Sequence, residues 1–159
     1  MTNNIGLNVA SSEKIANELN NLLATYQVFY MNMRGYHWNI KGVNFFQLHA
    51  KFEEVYDDLA AKIDEVAERI LTLGFTPVHA FSGYLQATRL QEHTNATSAQ
   101  ECLSGALNGF KTLIAQQREI LTLAAAEGDD STESLMSDYI KEQEKQVWMF
   151  SSASACCQG

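Results

Sequence analysis

The sequence predicts an all-α fold: a four-helix bundle whose second and third helices are joined by a long crossover. Three observations carry this expectation. Four long stretches place apolar residues at spacings of three and four, the repeat of one helix face. The chain of 159 residues holds one proline and nine glycines, too few turn formers for a sandwich of many short strands. The connections between the stretches run short, long, short, and short connections make antiparallel neighbours.

The first helix is expected from about Ser12 to Trp38, with Ser11 or Ser12 as N-cap. Ile15, Leu19, Leu22, Leu23, Tyr26, Phe29, Tyr30 and Met33 form its apolar stripe. Asn39 to Val43 break the pattern. The second helix is expected from Asn44, a plausible N-cap, to Leu73, with Gly74 just past its end. Its stripe runs from Phe45 through Phe52, Val55, Leu59, Ile63, Val66 and Ile70. Residues 75–97 hold the only proline and a polar run, and read as a connection with a short helix around Ala80 to Arg89. The third helix spans about Ser98 to Glu127, weakened at its start by Gly105 and Gly109 at about 1 kcal/mol each. Gly128 to Thr132 turn the chain. Asp130-x-x-Glu133 or Ser131-x-x-Ser134 then caps a fourth helix that ends near Ser151. A connection of this length lets the second and third helices run parallel, which is the ferritin-like arrangement. The chain reads as one domain over 1–159, with 1–11 and 152–159 as flexible tails.

Composition excludes several classes. The longest apolar runs are about six residues, against roughly 20 for a membrane span. The N-terminus shows no secretory signal pattern. A net charge of −8 repels phosphate backbones and attracts cations. Cys102, Cys156 and Cys157 form neither a CxxC pair nor an even framework, which fits reduced thiols in a cytoplasmic protein.

Ferritin-like bundles often carry Glu-x-x-His on two helices, and no His here has a Glu three positions before it. Another constellation is present. His37 ends the first helix; His49 and Glu53 are i, i+4 on the second; Asp64 and Glu68 are a further i, i+4 pair on the same helix. Imidazole and carboxylate together suit iron, zinc or manganese. The turn after His37 lets it converge with His49. His49 and Asp64 cannot converge, because fifteen residues of helix span about 22 Å. One helix thus carries two half-sites at opposite ends. Two copies packed antiparallel about a two-fold axis near Tyr56 to Asp58 would complete two sites at one interface. Taken singly, such carboxylates are commonly a solvated face, and a His at a helix end commonly bonds a backbone carbonyl.

The string Tyr36-His37-Trp38-Asn39-Ile40-Lys41-Gly42-x-x-Phe45-x-x-Leu48-His49-x-x-Phe52, then Tyr56, then Asp64-x-x-x-Glu68-Arg69, resembles the Dps family of mini-ferritins. The resemblance implies a hollow homo-dodecamer that takes Fe2+ as substrate. His37 and His49 from one subunit and Asp64 and Glu68 from its partner would form the ferroxidase site, where other divalent metals could stand in for iron. Hydrogen peroxide is the implied preferred oxidant, with oxygen as the other. The ferric product would be stored as mineral, and Trp38 would supply or trap an electron. Glu53 stands where the family often has Asp, and it is carried as a further ligand candidate. Glu127, Asp129, Asp130 and Glu133 are candidates for an acidic pore, although acid at a helix N-terminus is also ordinary capping. DNA binding in the family often uses a Lys-rich tail; residues 1–14 hold only Lys14, and residues 151–159 hold no charge. The rival reading is a DNA-protecting or otherwise binding shell without ferroxidase activity.

Overall fold

The computed structural model describes residues 1–155. It contains α1 (Val9–Asn39), α2 (Phe45–Thr72), the short α3 (Phe81–Ala87), α4 (Ala99–Glu127) and α5 (Asp130–Ala155). Cross-helix contacts give the directions. His37 meets His49 while Asn20 meets Thr76, so α1 and α2 are antiparallel. Tyr36 lies against Gly105 while Lys14 meets Glu127, so α1 and α4 are antiparallel too. Hence α2 and α4 run parallel, joined by a crossover that carries α3. This is the ferritin-like bundle. Among the described residues, no helix is long and apolar enough to cross a membrane.

The helix ends depart from expectation in three places. Asn8 caps α1, accepting the Ser11 N–H at 3.0 Å, so the helix starts three residues before Ser12. Ser12 cannot be a cap because it is already inside, buried and bonded to the Asn3 amide. Residues 1–8, expected as part of a flexible tail, fold back: Thr2 bridges to Asn8, and Asn3 Oδ1 accepts the N–H groups of Ile5 and Leu7. The cap of α5 is Asp129, which accepts the Thr132 N–H at 3.0 Å; Asp130 and Ser131 fall one and two residues too late. α5 also continues past Ser151 to Ala155, where Ser152 and Ser154 donate their hydroxyls to the carbonyls four residues back. The rest of the expected C-terminal tail, with Cys156 and Cys157, lies outside the described residues.

Other ends agree or add detail. Gly74 at φ 97° closes α2 with the Phe75 N–H on the Ile70 carbonyl, a Schellman arrangement. Ser98 and Glu101 form a reciprocal capping box at α4. Asn44 sits at the α2 N-cap position with φ 66° and makes no side-chain cap.

Gly105 and Gly109 are packing residues. A Cβ at Gly109 would lie 2.2 Å from a Phe29 ring carbon, and one at Gly105 would lie 2.0 Å from the Tyr36 hydroxyl. Their cost in helix propensity is offset by the close approach of α4 to α1. Around them Phe29, Phe110, Phe52 and Phe150 pack ring on ring. Deeper in the bundle the Tyr26 hydroxyl donates to Gln117, Gln117 to Gln143, and Gln143 back to Tyr26, at 2.5, 2.7 and 2.8 Å. A closed ring of neutral groups therefore stands in the bundle interior. Trp148 of α5 is exposed.

Candidate metal centre

The last turn of α1 and the first turns of α2 bring His37 and His49 together. Their rings stack 3.8 Å apart at 12°. His37 Nδ1 is 2.6 Å from the His49 carbonyl, and His49 Nδ1 is 2.7 Å from the His37 carbonyl. A carbonyl only accepts, so each Nδ1 must carry the proton. In the neutral tautomer that this bonding selects, each Nε2 keeps its lone pair. Metal-ligating histidines are commonly oriented by such a bond on the second nitrogen. The carbonyl contact foreseen as the ordinary role of a terminal His is present, and it prepares the other nitrogen for a ligand. Phe45 stacks on His49 at 5.0 Å, and the edge of Tyr56 meets His37 at 5.4 Å, so both rings are held from outside the pair.

Glu53 lies one turn beyond His49 on the exposed face of α2. Burial first, and then the Glu53 charge, raise the Tyr56 phenol above its ordinary pKa. Asp64 and Glu68 are exposed near the opposite end of α2. The basic residues near them are committed elsewhere. Lys62 is buried against Asp58 and Glu142, each at 2.7 Å. Burial would lower the Lys62 pKa, and its bonds to the two carboxylates hold it above the ordinary range. Arg69 is turned to α5, with Nη2 2.8 Å from Asp129 and Nε 2.9 Å from Thr132. Neither neutralises Asp64 or Glu68. Among the described residues, no three His, Cys, Asp or Glu side chains of one chain gather as a metal site. The two ends of α2 thus offer a nitrogen pair and an oxygen pair about 22 Å apart along the axis.

Trp38 is 56% exposed beside His37, not the core anchor its neighbours would ordinarily make it. Of the pore candidates, Asp130 is exposed and Glu133 half-buried. Glu127 is bonded to Ser11 and to Lys14 of α1. Asp129 does not fit a pore: it is 2% exposed, paired with Arg69, and spent on capping α5. His79 bonds the Pro77 carbonyl and His93 bonds the Tyr36 hydroxyl, both away from the pair. Sequence reasoning missed Arg34, whose guanidinium lies over the rings of Tyr30, Trp38 and Tyr56. The i, i+4, i+8 spacing of Tyr30, Arg34 and Trp38 was the available signal.

Comparison with known proteins agrees with the ferritin-like fold. A family model described as a ferritin-like domain matches residues 16–155. An uncharacterized protein from Haemophilus influenzae is 63% identical over 153 residues, covering 96% of each chain. A DNA protection during starvation protein from Porphyromonas gingivalis is 43% identical over 146 residues, covering 92% of each. The crystal structure of a Vibrio cholerae Dps protein, a member of a broad superfamily of ferritin-like diiron-carboxylate proteins, matches with a TM-score of 0.94. It is 60% identical and covers 95% of each chain. The chain is a ferritin-like domain protein. Within that superfamily it belongs to the Dps family.

Proposed function

We propose that this protein is a ferroxidase and iron-storing mini-ferritin, with Fe2+ as substrate and hydrogen peroxide as preferred oxidant. The observation that carries the reading is the reciprocal Nδ1 bonding of the stacked His37 and His49, which leaves both Nε2 atoms free of that bonding. Two neutral imidazoles are suited to a borderline cation such as Fe2+, and hard carboxylates favour the Fe3+ product. The His pair would hold the ion from one subunit. Asp64 and Glu68 of an antiparallel neighbour would complete the set, with Glu53 as a further oxygen donor. That arrangement needs a two-fold dimer, and the dimers would build a hollow homo-dodecamer.

The chemistry is electron transfer from two Fe2+ to one peroxide. A site that accepts both electrons' donors together has no need to release a one-electron product. Trp38, at the rim, would supply or trap an electron when only one iron is present. The ferric product would be stored inside the shell, reached through openings lined by Asp130 and Glu133. Protection of DNA, which the names of relatives state of those proteins, would follow here from removing Fe2+ and peroxide rather than from contact. The net charge of −8 supports that choice.

Iron oxidation followed with peroxide and with oxygen, on the wild type and on His37→Ala and Asp64→Ala, tests the reading. Rapid peroxide-dependent oxidation lost in both variants is the expected result. Equal rates in all three proteins would reject it.

A further inference from the structure

Arg34 lies one turn after Tyr30 and one turn before Trp38 on the exposed side of α1. Its guanidinium carbon is 4.9 Å from the Trp38 ring centroid, 5.1 Å from that of Tyr56 and 5.5 Å from that of Tyr30. Nη1 donates to the Tyr30 hydroxyl at 2.7 Å, and Nε is buried with no partner. Among the described residues, no carboxylate pairs with it, although the chain carries an excess of acid. Three electron-rich ring faces hold this cation where an anion ordinarily would.

The difference matters for the His pair. A carboxylate would cancel the charge, and aromatic rings leave it in force. Tyr56 touches both parties: its centroid is 5.1 Å from the guanidinium carbon and 5.4 Å from the His37 ring. Those two legs place the guanidinium carbon no more than about 10.5 Å from the His37 ring centre. Aromatic rings fill part of that gap, so bulk water screens it incompletely. Arginine does not shed its proton in proteins.

We infer that Arg34 sets the metal affinity of the His37–His49 half-site, lowering it for every divalent cation so that Fe2+ is held as a passing substrate. This rests on the proposed metal-binding role of the pair. Repulsion between a unit charge and a dication about 10 Å away is worth on the order of tenfold in affinity. The effect is one of charge, so lysine preserves it and a neutral side chain of similar length removes it.

Zn2+ titration calorimetry on the assembled protein tests this, using wild type, Arg34→Lys, Arg34→Gln and Arg34→Met. The Met variant keeps an apolar stem against the rings and serves where the Gln variant fails to assemble. Both neutral variants are expected to bind Zn2+ about tenfold more tightly, with the Lys variant close to wild type. Unchanged affinity in the neutral variants would overturn the inference, as would equal changes in the Lys and Met variants, which would mark a packing role. His49→Ala is the separate control. If it leaves Zn2+ binding intact, the metal half-site itself is wrong, whatever Arg34 does.

Discussion

His37 and His49 each aim Nδ1 at the other's backbone carbonyl, at 2.6 and 2.7 Å. The exchange locks the end of α1 to the start of α2 and fixes both tautomers at once. It also makes the two histidines non-equivalent to any surface pair, since neither ring can turn without breaking two contacts. Alanine at either position removes one ligand and one stacked ring, while the backbone carbonyl that orients the other Nδ1 remains. Calorimetry on His37→Ala and His49→Ala should show Zn2+ affinity lowered in each by at least the roughly tenfold that loss of an orienting partner alone would cost, because here a ligand itself is lost.

Assembly is the next consequence. A site split between two ends of α2 needs a two-fold partner, and twelve chains of 17.8 kDa give about 214 kDa. Light scattering should return that mass. A stable monomer that oxidises Fe2+ quickly would contradict the split site.

Near the start of α5, acidic neighbours should separate by role. Asp129→Ala removes a cap and the buried partner of Arg69, so it should lower the melting temperature clearly, by a few kcal/mol of stability. Asp130→Ala and Glu133→Ala should leave the melting temperature nearly unchanged and slow iron uptake. The opposite pattern in a thermal melt and an uptake assay would reverse the assignment.

Gly109→Ala offers a test of packing. The added Cβ would stand 2.2 Å from Phe29, and overpacking of this kind costs about 1–3 kcal/mol, more than the roughly 1 kcal/mol gained in helix propensity. The melting temperature should fall. A rise would mean that Phe29 yields easily.

DNA should not be retarded by the intact protein at about 150 mM salt with a chelator present, since the net charge is −8. Clear retardation under those conditions would restore a contact role.

The helices were legible because their stripes are long and their faces repetitive, and the convergence of His37 on His49 followed from one short turn. The starts of α1 and α5 were not legible, because several candidate caps stood side by side and the choice fell to tertiary bonds. Asn8 wins because Ser12 is drawn inward by Asn3, and Asp129 wins because Arg69 waits for it. Gly105 and Gly109 looked like weak helix in the sequence, since only the facing Tyr36 and Phe29 explain them. Asp129 likewise read as one of four similar acids until burial set it apart.

The split site is tested most directly by mixing subunits. His37→Ala and Asp64→Ala should each be nearly inactive as pure assemblies. When the two are disassembled together and reassembled, half of the two-fold interfaces pair unlike chains. Each such interface has one site with both lesions and one with neither. Peroxide-dependent Fe2+ oxidation should therefore recover to about a quarter of wild type if pairing is random. A site built within one chain predicts no recovery, because every chain carries a lesion, and no recovery from verified mixed assemblies would contradict the shared centre.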